Sequence, residues 1–420
     1  MNELVFKNMA DKVLQMTKKA LFRLMNAFIS IVIVCLRPIV QVKIVHITSD
    51  RIGHLAFNTD SFLRKLQLQK GKKGRKTVYI GITQSPPANR QLLKMFYRQM
   101  MIIQLPLKIY KYILKSIMNN KSIFANSRAG TYSEFELFHN TEVNLKFTPQ
   151  ENKKGIKLLQ DMGISQDDWY VCFQARDPLY LEKTGRDLYG IQMDWSYHNY
   201  RDCSIRNYIL AAEYIVSKGG FAIRMGKDVG EPLPKGLSPR IIDYATYHWS
   251  DFGDIYLSAN CKYFIGSSAG LAVVPYIFHK PMIMANYTPL SVAFSPRMDN
   301  LAIPKKIWSA QKDRYLTFKE ILTSEVNNFA ETRHFEQAGL ELVENTENEI
   351  LDVTKEMYAR VFKEFEYTDN DHHLQMQLKA CYPPAHQCFN TPIHKMIGIQ
   401  FLRDNPFLLE EAMVEKIESK

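Results

Sequence analysis

The segment CKYFIGSSAGLAVVPYIFHKPMI, residues 261–283, constrains this chain more than any other. Lys262 to Ile265 is a short run with aromatic and β-branched residues, as a buried parallel strand requires. Gly266-Ser267-Ser268-Ala269-Gly270 then strips away side-chain bulk where a helix begins, and the Pro281 region marks a second strand. Free backbone N–H groups and the helix dipole favour an anion such as a phosphate at such a turn. Ser267 and Ser268 can cap the helix or offer hydroxyls to that anion. Two readings fit: an anion-binding turn, or a well-capped strand-to-helix turn with no ligand. Both require an open α/β sheet.

The rest of the chain repeats the alternation. Gln41–Ile47 reads as a first strand, followed by Ser49–Leu55 as a loop entering a helix to about Leu68. Lys70–Arg75 is a basic turn, Thr77–Ile82 a second strand, and Pro86-Pro87 opens a long basic helical region ending near Asn119. Ser122–Ala125 follows as a short strand and Pro149–Met162 as a helix. Gly163–Asp168 is a polar break. A second alternation runs through strand Trp169–Gln174, helix Arg206–Lys218 stopped by Gly219-Gly220, and strands at Phe221–Met225 and Ile241-Ile242. Helices at Asp254–Ala259, Phe318–Leu322 and Glu349–Phe365 complete the reading. With 420 residues, 46% hydrophobic and 23% charged, the chain can bury two domain cores. The expected division is an N-terminal segment 1–40, α/β units at 41–165 and 166–330, and C-terminal helices at 331–420.

Charge is unevenly spread. The net charge is +11, and Ser61 to Ser133 contains fifteen Lys and Arg but no Asp or Glu. Leu92–Met118 interleaves these cations with Met, Ile, Leu, Phe and Tyr, which suits an anionic membrane surface. No nucleic-acid-binding motif accompanies the basic stretch, so nucleic acid is not an expected partner. A solvated basic face without a partner is the alternative. Leu21–Leu36 is apolar apart from Arg23, Asn26 and Ser30, but its uninterrupted core, Ile31–Leu36, is too short to span a bilayer. An interfacial helix or a first helix packed on the protein's own core both fit. The six scattered Cys suit a reducing cytoplasm and form no disulfide framework pattern.

Ligands of open α/β sheets bind outside the carboxyl ends of the strands. Four groups fall there: Arg51–His54, Arg176-Asp177, Arg224–Lys227 and Gly266–Gly270. Three carry cations and the fourth is the small-residue turn, so together they point to a phosphate-bearing ligand. A zinc set of Asp371, His372, His373, Cys381, His386, Cys388 and His394 matches no standard spacing, and no metal is expected.

At this level of detail a resemblance emerges. Tyr200-Arg-Asp, Tyr208, Ala212–Ile215 and Gly219–Lys227 resemble a family of bacterial glycosyltransferases from surface-polysaccharide gene clusters. So do Asp243–Ala245, Asp254–Cys261, Phe264–Leu271, Arg51–Thr59 and Ile397–Pro406. The resemblance covers about residues 41–408. It implies two facing Rossmann-like domains around a central cleft (the GT-B type), with C-terminal helices crossing back to the first lobe. The first lobe would hold the acceptor and the second a nucleotide sugar, used as co-substrate with no further cofactor. The acceptor would be lipid-linked or a lipopolysaccharide intermediate, met by a peripheral enzyme on the cytoplasmic face of the plasma membrane. A sugar-nucleotide epimerase of the same fold and a non-catalytic assembly protein of a polysaccharide-synthesis complex are the competing expectations. His54 resembles the Gly-His pair of two-lobed glycosyltransferases and is the expected base, with Asp50 and Asp60 as fallback carboxylates. The expected donor contacts are Arg176, Arg224, Lys227, Asp243, Tyr244, Ser267, Ser268 and Gly270. Arg51, His198, Arg201 and Asn207 are the expected sugar or acceptor contacts.

Overall fold

The computed structural model describes residues 39–69, 77–118, 123–125, 135–185, 193–290, 299–384 and 397–410, with isolated positions between 13 and 35. The expected N-terminal interfacial segment, the basic turn at 70–75 and the 386–394 end of the candidate zinc set therefore lie outside the described residues, those isolated positions aside.

The first sheet is parallel and contains β1 (Gln41–His46), β2 (Thr77–Ser85), β3 (Met101–Pro106) and β4 (Phe124–Ala125) in the order β3-β2-β1-β4. The second contains β5 (Tyr170–Phe173), β6 (Phe221–Arg224), β7 (Ile241–Ile242), β8 (Phe264–Gly266), β9 (Met282–Tyr287) and β10 (Leu301–Pro304). Its order, β10-β9-β8-β5-β6-β7, is all parallel and doubly wound. The direction of winding reverses between β5 and β8, where such sheets leave a crevice. Every residue of β5, β6, β8 and β9 is buried, as covered faces on both sides demand.

One sequence expectation is corrected in the first sheet. The long helix expected after Pro86-Pro87 is instead α2 (Arg90–Tyr97), strand β3 and α3 (Leu107–Ile117). Asn89 caps α2 through its side chain, and a turn at 98–100 stops the helix before Met101-Ile102-Ile103, whose branched side chains favour extension. A small antiparallel sheet of Lys306–Ser309, Arg314–Tyr315 and Leu340–Val343 was not legible beforehand.

Two helices join the sheets: α1 (Ile52–Gln69), and the short helix Val273–Ile277 that follows β8. Gly53 and Gly270 meet backbone to backbone, and a Cβ on Gly53 would lie 2.9 Å from the Gly270 Cα. Farther along α1, Arg64 is fully buried and paired with Asp60. Its guanidinium also donates to the Ile277 carbonyl (2.9 Å) and to Thr141 Oγ1 (3.0 Å), contacts His279 Nε2 and lies over the Phe138 ring. One large core runs through both sheets, and a small satellite core of Val42, Ile44, Ile82 and Ile123 lies under α3.

The main partners of the C-terminal helices belong to the second sheet. Glu347–Val361 packs on Ile209–Ser217, β9 and β10, and on the later helix Ile399–Asp404. The expected return to the first lobe is not among these principal contacts of the described residues.

Removing one partner of a buried ion pair strands the other's charge. Arg64→Met should lower unfolding stability by about 3–5 kcal/mol. Urea unfolding checks this, and a change below about 1 kcal/mol would show that the pair does not tie the sheets together.

Candidate active site

The carboxyl end of β5 leads into Gln174, Ala175, Arg176 and Asp177, and that of β8 into Ser267–Gly270. These loops are stitched together across the reversal point, because the Arg176 backbone N–H donates to Ser267 Oγ at 2.8 Å. Ser267 is fully buried, and Ser268 donates to the Thr288 carbonyl at 3.4 Å. Neither serine caps the following helix, which starts from Ala269 with no side-chain cap. The capping role expected from the sequence is therefore replaced by loop stitching. Gly270 faces Gly53, so the helical turn starts against α1.

The cations that converge here come from three places. Arg51 precedes α1 and sets its guanidinium 4.3 Å over the Trp195 ring. Arg176 follows β5. His198 and Arg201 come from a 3-10 segment, Ser196–Arg201, that stacks His198 against Trp195. Their charges are coupled to one another. Burial pushes the His198 imidazole down to about 3, with Arg201, Arg176 and Arg51 adding to the effect in that order. Burial, and then the charge of Arg201, pulls Arg176 down to about 10. Arg201 is lowered by burial and, in part, by Arg51. Asp202 pairs with Arg176. The buried Arg201 Nε and His198 Nδ1 have no hydrogen-bond partner among the described residues. A neutral imidazole and an Arg201 Nε without a partner, beside two further guanidinium groups, are chemically suited to an anion.

Lys305, not anticipated from sequence, holds this segment from behind. It is 6% exposed and donates to the carbonyls of Asp202 (2.6 Å) and Tyr200 (3.3 Å). Burial lowers its ammonium. The one signal in the sequence is its position directly after the apolar strand Leu301–Pro304.

Several expected site residues are engaged in structural contacts instead. Arg224 is buried and donates to Asp243 Oδ1 (3.1 Å) and to the Glu231 carbonyl (2.8 Å). Asp243 also caps the turn at 244–247 and accepts from the Leu233 N–H. Tyr244 is fully buried, with its hydroxyl donating to the Ser250 carbonyl and bonded to Asp254. Asn207 donates to Glu344 and to the Asn345 carbonyl. Asp60 serves the Arg64 pair and accepts from Asn144. Lys227 sits over Trp249, 4.3 Å from the ring centroid. His54 is exposed in the first turn of α1, and Asp50 is exposed just before it. Of the candidate zinc set, Asp371 is taken by Arg403 and the Thr368 cap, and Cys381 bonds the Gln377 carbonyl. Beyond the Ser196–Arg201 segment is an open pocket of about 510 Å³, but its carboxylates Asp194, Glu331 and Glu336 suit it poorly to an anion.

No family model matches the chain, and no curated protein matches it. Among solved structures it is similar to a glycosyl transferase family 9 protein from Veillonella parvula. The identity there is 10%, covering 76% of this chain and 97% of that one, with a TM-score of 0.49. It is also similar to ADP-heptose LPS heptosyltransferase II from E. coli (14% identity, 62% and 90% covered, TM-score 0.37). A third is the E. coli heptosyltransferase WaaC with ADP (9% identity, 63% and 91% covered, TM-score 0.33).

Asp254, bonded by Trp249 Nε1 at 3.0 Å, is pushed up to about 8, first by burial and then by Asp251. The folded protein thus keeps a proton that the unfolded chain releases near 3.8. Folding stability from this group is full below about pH 4 and declines as pH rises towards 8, by roughly 1 kcal/mol per pH unit. Asp254→Asn should flatten that decline. Urea unfolding of both proteins at pH 5 and pH 8 checks it, and parallel profiles would reject the assignment.

Proposed function

We propose that this protein is a glycosyltransferase that moves a sugar from a nucleotide-sugar donor to a lipid-linked or lipopolysaccharide-type glycan acceptor on the cytoplasmic face of a membrane. The observation that carries this reading is the convergence of Arg51, Arg176, Arg201 and His198 at the carboxyl ends of β5 and β8. A departing nucleoside diphosphate develops negative charge that such a cluster stabilises where water is largely excluded. The sequence resemblance in Arg51–Thr59, Gly219–Lys227 and Phe264–Leu271 selects sugar transfer among reactions that release a diphosphate.

In this reading the acceptor oxygen attacks the anomeric carbon, the bond from that carbon to the diphosphate oxygen breaks, and the nucleoside diphosphate leaves. The acceptor proton passes to His54, which is exposed beside Gly53 and the cleft, with Asp50 as the nearest exposed carboxylate in sequence. Arg176, Arg201 and Arg51 take the place of a divalent cation on the diphosphate, so transfer is expected to persist in EDTA. The neutral His198 hydrogen-bonds the diphosphate or becomes protonated when the anion arrives, because a neighbouring negative charge raises its pKa.

A thermal-shift series with uridine, guanosine, thymidine, adenosine and cytidine diphosphates tests the reading. One nucleotide is expected to raise the melting temperature, and Arg201→Ala should weaken its binding at least tenfold. Arg224→Ala should instead lower the melting temperature of the unliganded protein, because it strands buried Asp243. A response to none of the nucleotides, or one unchanged in Arg201→Ala, would favour the assembly-protein reading.

A further inference from the structure

We infer that the free edge of the first sheet, strand β3 with helix α3, is a docking face for an anionic lipid bilayer. Strand β3 is bonded on one side only, by β2, among the described residues. Alternate residues Met101 and Ile103 project from it, 62% and 46% exposed, while Ile102 between them is buried. An unblocked edge with apolar side chains invites association unless something covers it. Met118, just past the end of α3, is 46% exposed.

Helix α3 adds the charge. Lys108, Lys111 and Lys115 fall at i, i+3 and i+7, which places them along one side of the helix. Not every cation of this region belongs to the face. Arg98 and Lys94 are matched by Glu151, whose carboxyl, despite partial burial, is held down to about 2 by Gln91, the Thr148 N–H and Arg98. Lys108 and Lys115 are exposed, and the stretch Ser61–Ser133 that contains them holds no Asp or Glu. Lysines reaching headgroups beside apolar side chains at the acyl boundary describe an interfacial contact. The same three charges oppose pairing of two copies through this edge.

The helix is also firmly seated. Ile113 and Leu114 pack on the satellite core, and buried Tyr110 contacts His46 at the end of β1. Tyr110 is raised chiefly by burial and also by the charge of Asp50. The docking face therefore adjoins the β1 loop that leads to Arg51 and His54, and a lipid-borne molecule held there has a short path to the cleft. The inference stands on surface chemistry alone and does not depend on the nucleotide assignment.

Co-sedimentation of the full chain with vesicles tests it. Binding is expected to vesicles rich in phosphatidylglycerol, to be absent with pure phosphatidylcholine, and to fall as salt is raised. Lys108→Glu/Lys111→Glu/Lys115→Glu should reduce partitioning at least tenfold, roughly as expected for three charges near a charged surface. Met101→Ser/Ile103→Ser should reduce it on the same vesicles without changing the net charge. Circular dichroism and unfolding curves establish that each variant is folded, and the thermal-shift response to nucleotides should be unaltered in both. Undiminished binding by the folded triple variant would place membrane contact elsewhere in the chain and overturn the inference. So would self-association through this edge with no vesicle binding.

Discussion

Arg64 holds its charge where no water reaches it, and the cleft is assembled around that fact. A lone guanidinium in a protein core is prohibitively costly, so every donor must find an acceptor. Asp60 comes from the same helix, but Thr141 lies beyond the first sheet and Ile277 follows the β8 turn of the second. Satisfying one side chain thus fixes α1 against the second lobe. With the helix fixed, its start sets Gly53 against Gly270 in the loop after β8, and Arg51, just before the helix, over the Trp195 ring. The ion pair contributes position more than net stability, since its Coulombic gain is largely offset by desolvation.

The cation cluster reverses this logic. Its members repel one another, and the repulsion is tolerated because other parts of the fold hold them. Trp195 supports Arg51 and His198 on its ring, Asp202 balances Arg176, and Lys305 clamps the carbonyls of the segment that bears Arg201. His198 lowers the local charge by staying neutral. In the proposed function, a diphosphate arriving at a cluster already organised by folding would relieve the repulsion between like charges and need little rearrangement.

Much of the architecture was legible because buried parallel strands are written as apolar runs. Residues 41–47, 169–174, 221–225 and 262–265 each show one, and each became a strand. The edge strand β3 was not legible, because its exposed positions and basic neighbours mimic an amphipathic helix. The site was legible only in part. Arg224 stands at a strand end as a ligand-binding arginine would, but sequence does not reveal that Asp243 folds back onto it. His198 and Arg201 were expected as sugar or acceptor contacts, and their coupling to Arg176 was not legible. They lie in a stretch without strong periodicity, and only the folding of Ser196–Arg201 over the end of β5 brings them to Arg176. Lys305 is separated from its partners by about a hundred residues, a distance over which no local pattern operates.

The contact between Gly53 and Gly270 bears on how the cleft moves. Two backbones that touch without side chains between them cannot approach further, and the buried Arg64 bonds about three turns farther along α1 resist their separation. Any rotation of one lobe against the other must therefore swing about this point as a fulcrum. Displacement would be smallest beside the glycines and would grow towards the far rims. In the proposed glycosyltransferase, a reacting centre next to the fulcrum would keep its geometry while the outer cleft opens and shuts around a bulky glycan.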